Sequence, residues 1–240
     1  MSPLIIPIAI EWVILVTTLA PMILVGRFDP RPRLGLAVWF SALLSAGLAV
    51  ALALGVALAS IATTYLKLTA SPVGSESWLL ALAASFAPWA ILAIAGISLA
   101  LVNQRIAPIV ASAKETAPLL AAASKFFLHF EGIEVRRLEL PVLVAAAHRD
   151  SILISSTALE TLDAAELEAV LWHEVGHIHG RHNQLKQLAG LVRALSPWLA
   201  ASRALVVEVE RLAELDADRY ALRHVSQELL SATRSKFLSA

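Results

Sequence analysis

Three long apolar stretches near the N-terminus constrain this chain more than any other feature of its sequence. They lie at about residues 4–25, within 34–66 and at about 78–102, and each is long enough to cross a bilayer as a helix, which takes about 20 residues. Glu11 is the only charged residue within them. Because a chain of 240 residues cannot bury three such helices in a soluble core, the sequence predicts three transmembrane helices with the lipid bilayer as a partner.

The composition agrees with a membrane protein and restricts the chemistry that is available. Charged residues make up 16% of the chain, whereas soluble domains carry about 25%. The 19 basic and 19 acidic residues cancel, so the sequence lacks the basic excess of a nucleic-acid-binding protein. The chain contains no cysteine, so any metal site has to use histidine and carboxylate ligands.

Basic residues on either side of the apolar stretches predict the orientation. Three arginines lie within residues 27–33, between the first and second stretches, whereas the second turn offers only Lys67. Further basic residues follow the third stretch. The positive-inside rule therefore predicts a multi-pass protein of the cell membrane with its N-terminus outside. Residues 1–104 would be the transmembrane region and residues 105–240 a cytoplasmic domain.

The first part of the predicted cytoplasmic domain mixes helix and strand patterns. Residues 108–130 favour an amphipathic helix that is broken near Pro118. Two short β-favouring runs follow at residues 140–147 and 151–155, and residues 148–150 between them favour a hairpin turn. The predicted fold class is thus mainly α, with an α+β domain that contains a small hairpin or edge sheet.

The second part of the domain is predicted to be helical. Asp163 with Glu166 three residues later is the signature of a capping box, and the helix that it begins continues to about His179. Two more helices are predicted at residues 185–194 and 200–224. These two segments carry too many charges to span a membrane.

The sequence HEVGH lies inside the capped helix, at residues 173–177. Histidines four positions apart lie about 40° apart around a helix, so His173 and His177 can reach one ion. Glu174 is close enough to contact a water on that ion without being a ligand. Zinc in such a site lowers the pKa of its water to about 7, and Glu174 would act as general base. The alternative is a pair of surface histidines one turn apart.

Two more histidines follow the motif closely. By the helical period of 3.6 residues, His179 and His182 project from a different side of the helix than the motif histidines. We therefore expect both side chains to face solvent or the membrane surface.

A third ligand is expected from the acidic run at residues 208–218. Within it, Glu214 and Asp218 lie one turn apart on one helix face. One carboxylate could bind the metal while the other accepts a hydrogen bond from a metal-binding histidine. Glu210 also lies one turn from Glu214, so the spacing alone does not identify the ligand. The same acids could also form only a solvated helix face.

The run SSTALETLDAAELEAVLWHEVGHIHGRH, followed later by ELDADRYAL, resembles the membrane-anchored gluzincin zinc metallopeptidases. In the related HtpX and CAAX prenyl protease family, HExxH is followed at a distance by a helix that bears ExxxD. This resemblance implies that His173, His177 and Glu214 bind Zn²⁺. It also implies that Glu174 is the general base and that Asp218 is the acid that supports a ligand.

Within these peptidases the chain is most similar to the BlaR/MecR antibiotic-sensor family. The short separation between the motif and the acidic helix and the PWL sequence at residues 197–199 favour that family, in which a cytoplasmic zinc domain follows a third span. Members of that family also carry a further span and an extracellular penicillin-binding domain. The present sequence ends at Ala240 without them, so drug sensing is not predicted.

The resemblance also carries expectations about substrate binding. In both families the strand before the zinc helix is thought to pair with an extended substrate, which here would be residues 151–155. A donor to the transition-state oxyanion is expected as well, and Tyr220 and His224 are the candidates. The expected substrate is a protein or peptide, either a cytoplasmic repressor or a membrane-associated protein.

Together these features predict a membrane-embedded zinc endopeptidase. The alternative is a catalytically inactive descendant that binds zinc and serves as a signalling or assembly module. A transporter or channel would need polar residues that face one another within the spans, and Glu11 is the only charged residue there.

Overall fold

The computed structural model describes residues 5–70 and 122–239, together with four single positions between these ranges. The predicted third span at residues 78–102, apart from Phe86 and Leu101, lies outside the described residues, as do residues 108–121 of the predicted amphipathic helix. The proposed boundary at residue 104 falls in the same part of the chain.

Two N-terminal helices form an antiparallel pair, α1 at Ile5–Leu24 and α2 at Pro32–Ala70. Both are apolar and long enough to cross a membrane, and only 11% of the most apolar window of each helix is buried inside the protein. An apolar surface of this extent is typical of contact with lipid rather than with a soluble core. The two helices therefore suggest membrane association.

A four-stranded sheet follows, with β1 at Ser124–Phe130, β2 at Ile133–Leu138, β3 at Ala145–His148 and β4 at Ser151–Ser155. The predicted hairpin of β3 and β4 is confirmed, but its first strand spans Ala145–His148 rather than residues 140–147, because His148 pairs with Ser151 instead of lying in the turn. The amphipathic helix was predicted to extend to residue 130. This part of the prediction is wrong, because residues 124–130 form the strand β1. Positive φ angles at Glu131 and Gly132 allow the tight turn that pairs β1 with β2.

The strand order β1-β2-β4-β3 corrects the prediction for residues 151–155. These residues form β4, which pairs in parallel with β2 and antiparallel with β3, so both of its sides are occupied. A substrate strand cannot add there. The edge strand on this side of the sheet is β3.

Five helices complete the described C-terminal part: α3 at Ser156–Thr161, α4 at Ala164–His179, α5 at His182–Leu195, α6 at Ala200–Ala221 and α7 at Gln227–Ser239. The predicted capping box is confirmed, because the Asp163 side chain accepts from Glu166 N and the Glu166 side chain accepts from Asp163 N. Sequence patterns did not predict α7.

Two apolar clusters fix the relative positions of these elements. In the first, α4 packs on the sheet through residues such as Val175, Ile152 and Ile154. In the second, Leu36 and Trp39 of α2 pack with three apolar residues of α6: Leu205, Val209 and Leu212. Helix α6 therefore contacts both α4 and the apolar helix pair.

A glycine lies where α4 and α6 cross most closely. A Cβ added at Gly176 would lie 2.9 Å from the Cα of Ala217 and 3.0 Å from the Cβ of Tyr220. Backbone atoms cannot move aside as a flexible side chain can, so Gly176→Ala is expected to lower the free energy of unfolding by about 1–3 kcal/mol.

Denaturant unfolding of the full chain in detergent measures this effect. Gly190→Ala is the matched control, because nothing lies within 4 Å of a Cβ at that position in α5. The control is expected to leave stability unchanged or to raise it by up to about 1 kcal/mol. Equal stabilities of the two variants would contradict the close crossing.

Candidate active site

Two imidazoles from α4 face each other one helical turn apart. The Nε2 atoms of His173 and His177 are 3.1 Å apart, and the two rings are nearly perpendicular. His177 is buried and His173 is partly buried. The pair is thus not a pair of surface histidines, and both Nε2 atoms point to the same small volume.

A carboxylate from α6 completes this group. Glu214 Oε2 lies 3.5 Å from His173 Nε2, and Glu214 Oε1 lies 3.5 Å from His177 Nε2. Among the described residues that could bind a metal, these three form a group whose ligand atoms all lie within 4.8 Å of one another. Glu210, which spacing alone left open, is exposed and is not part of this group.

The separations fit a tetrahedral zinc site. With zinc–ligand bonds of 2.0–2.1 Å, neighbouring ligand atoms of a tetrahedron are about 3.3 Å apart. Here the two Nε2 atoms are 3.1 Å apart, and each of them lies 3.5 Å from a different oxygen of Glu214. Two imidazoles and one carboxylate are also the donor set of many catalytic zinc sites, in which the fourth position is left open.

Asp218 contacts His173 through Nδ1, the ring nitrogen that does not face His177. Its Oδ1 lies 2.9 Å from Nδ1 of His173, so Nε2 of the same ring is left to bind a metal. Burial lowers the pKa of His173, but hydrogen bonds to Asp218 and Glu214 outweigh it and raise the pKa to about 9. Hydrogen bonds from His173 and His177 hold the pKa of Glu214 below its usual value.

Two cations flank the carboxylates and were not among the predicted site residues. Lys186 Nζ lies 3.0 Å from Glu214 Oε1, and Arg234 Nη1 lies 2.5 Å from Asp218 Oδ2. Lys186 is on α5 and Arg234 is on α7, so each contact joins separate helices. No spacing in the sequence could reveal them.

Glu174 is buried beside the histidines and is held by the sheet. Its Oε2 accepts a hydrogen bond from the backbone N of Ala147 at 2.5 Å. The carbonyl of Ala147 in turn accepts from Asn183 Nδ2 at 2.7 Å. Both contacts use the side of β3 that faces away from β4, so the edge strand orients the Glu174 carboxylate.

The structure contradicts the prediction that His182 faces solvent or the membrane surface. Its ring is fully buried, with Nδ1 at 2.9 Å from His177 Nδ1 and Nε2 at 3.2 Å from Asp216 Oδ2. The prediction assumed an unbroken helical period. Instead α4 ends at His179, and a turn with positive φ at Arg181 directs His182 back toward the motif. His179 is exposed, as predicted.

The structure does not bring Tyr220 and His224 to the metal-ligand group. The His224 ring stacks on Trp172 with centroids 3.4 Å apart, and the Tyr220 ring stacks on His179 at 5.2 Å. Both residues therefore belong to an aromatic cluster on another side of α4.

A small cleft of about 180 Å³ opens beside His173. Ala145 of the edge strand lines it together with His173, Glu174 and Asp218. Residues of α7, among them Arg234 and Phe237, form part of its wall. The cleft therefore lies between the edge strand β3 and the helices α4, α6 and α7.

In a comparison with protein families, residues 119–236 match the model of peptidase family M48. The matched range contains His173, His177 and Glu214, which could bind a metal, and also Glu174 and Asp218. A comparison with curated proteins finds no significant match.

Proposed function

We propose that this chain is a membrane-embedded zinc endopeptidase, because residues 119–236 match the model of peptidase family M48, a family that implies metallopeptidase activity. The observation that carries the proposal is the convergence of His173, His177 and Glu214 on one point at distances that fit a tetrahedral ion. In the proposed site these three side chains hold the metal.

The bound zinc would supply Lewis acidity, which lowers the pKa of a water and polarises the peptide carbonyl. Glu174 then takes a proton from the attacking water and passes it to the leaving amine. Its buried position beside His173 and the hydrogen bond from Ala147 support this role. Asp218 keeps the His173 ring in the orientation and tautomer that ligation requires.

Substrate capture is proposed at β3 rather than at β4. Alternate residues of a strand present their backbone groups on the same side, so Ala145 faces the same way as Ala147. Ala145 also lines the cleft beside Glu174. Since the backbone N and O of Ala147 already bind Glu174 and Asn183, an extended peptide would add to this edge at Ala145, next to the proposed catalytic group.

The orientation proposed from the arginine-rich turn puts the site on the cytoplasmic side of the cell membrane. Contacts between α6 and the apolar helix pair support a site close to the bilayer that this pair is proposed to cross. This proximity favours a membrane-associated protein as substrate over a soluble repressor, which stays a prediction from the family resemblance alone.

A proteolysis assay on the purified full chain in lipid nanodiscs tests the proposal. We expect cleavage of an unfolded protein substrate, loss of cleavage with 1,10-phenanthroline, and recovery when zinc is added back. Zinc binding without any cleavage of soluble or membrane-associated test proteins would instead support the inactive signalling module. Cleavage that persists after complete zinc removal would contradict both.

A further inference from the structure

The buried His182 joins the proposed metal site to the beginning of α2. Its two ring nitrogens contact His177 and Asp216, and both oxygens of Asp216 lie 3.0 Å from Nε of Arg33. Arg33 is the second residue of α2, 140 positions before His173, where the motif begins. We propose that Arg33, acting through Asp216 and His182, positions His177 for metal binding. This inference rests on the proposed function.

The Arg33–Asp216 ion pair determines which ring nitrogens of His182 and His177 carry a proton. Asp216, which is paired with a guanidinium, can only accept, so Nε2 of His182 carries a proton and donates to it. Nδ1 of His182 is then free to accept from Nδ1–H of His177. That arrangement leaves the lone pair of His177 on Nε2, the atom that faces His173 and Glu214.

His177 thus has the same kind of support that Asp218 gives to His173. For one histidine the supporting carboxylate is in direct contact, and for the other it acts through an intervening imidazole. Such partners of metal ligands fix the tautomer and orientation of the ring, and their loss weakens metal affinity by about 10- to 100-fold. Both support chains use a carboxylate of α6.

The backbone next to His182 is shaped around its ring. A Cβ added at Gly180 would lie 2.1 Å from Nε2 of His182, although the φ angle of −75° at Gly180 suits any residue. The space taken by the ring, rather than the backbone conformation, therefore requires glycine here. Gly180→Ala would displace the His182 ring without removing any charged group.

The contact between Arg33 and Asp216 depends on how α2 packs against α6. Leu36 and Trp39, within two turns of Arg33, pack against Leu205, Val209 and Leu212 of α6. This packing fixes the register between α2 and the helix that carries Asp216 and Glu214. The apolar helix pair is then part of the metal site and not only an anchor.

The test uses the zinc dissociation constant of the full chain in nanodiscs, measured by competition with a chromophoric chelator. Arg33→Gln is expected to raise it by about 10- to 100-fold. Arg27→Gln, which removes the same charge from the same turn, is expected to leave it unchanged. Arg33→Lys is expected to recover most of the loss, because only Nε of Arg33 contacts Asp216 and an ammonium can replace that single donor.

A second pair of variants separates positioning from general destabilisation. Gly180→Ala is expected to weaken zinc binding as Arg33→Gln does, while Gly190→Ala in open space is not. Since both changes break one chain of contacts, the double variant Arg33→Gln/Gly180→Ala is expected to lose no more affinity than the weaker-binding single variant. Fully additive losses would overturn the proposal.

The outcomes also distinguish this inference from the proposed function. If the wild-type chain binds no zinc, the proposed function fails and takes this inference with it. If the wild type binds zinc and Arg33→Gln binds it equally tightly, only the positioning role of Arg33 is refuted.

Discussion

Replacing Glu174 with glutamine is expected to lower kcat/KM for peptide cleavage by about 10²- to 10⁴-fold while zinc remains bound in a one-to-one ratio. A positioned general base typically contributes an acceleration of this size. The amide of glutamine cannot take the proton of the attacking water, but it has nearly the same shape and can still accept from Ala147 N. Glu174 is not among the three residues that converge on the metal position, so ligation is expected to survive.

Glu210→Gln is the matched control for this experiment. Glu210 is an exposed glutamate one helical turn from Glu214, and it makes no part of the metal-ligand group. Its replacement is expected to leave both cleavage and zinc content unchanged. Wild-type cleavage by the Glu174→Gln variant would contradict the role assigned to Glu174.

The second large effect is expected at Glu214. Its carboxylate is the contribution of α6 to a site whose other two donors come from α4. Glu214→Ala is therefore expected to weaken zinc binding by more than about 100-fold, which exceeds the usual effect of losing a partner behind a ligand. Elemental analysis of the purified variant, together with chelator competition, measures this loss.

Two further variants make that result specific. Glu210→Ala is expected to retain zinc at the wild-type level. Glu214→Gln keeps the volume of the side chain and a neutral oxygen donor, so a loss of zinc in this variant cannot be attributed to a cavity. An unchanged zinc content in the Glu214→Ala variant would show that another residue is the third ligand.

Local signals in the sequence predicted the parts of the fold that local interactions determine. The side chains of Asp163 and Glu166 each accept a hydrogen bond from the backbone N of the other residue. Because these bonds lie within one helical turn, the spacing of the two residues predicted the start of α4. The convergence of His173 and His177 likewise depends only on the geometry of one helix, so the HEVGH sequence was enough to predict it. For the same reason the β3–β4 hairpin was predictable from two short runs and the turn between them.

The remaining parts depend on contacts between elements that are distant in sequence. The pairing of β4 with β2 spans a turn and another strand, so residues 151–155 looked like an edge strand and are not. The position of His182 depends on how the chain reverses after His179, and no periodic pattern encodes that reversal. The choice of Glu214 over Glu210 depends on how α6 is rotated against α4, which close packing at Gly176 helps to fix.

The most direct measurement on the central claim is X-ray absorption at the zinc edge of the purified full chain. If His173, His177 and Glu214 share one zinc ion, the spectrum will show two imidazole nitrogens at about 2.0–2.1 Å, with oxygen atoms as the remaining ligands. Protein that contains no zinc, or zinc without imidazole scattering, would contradict the account.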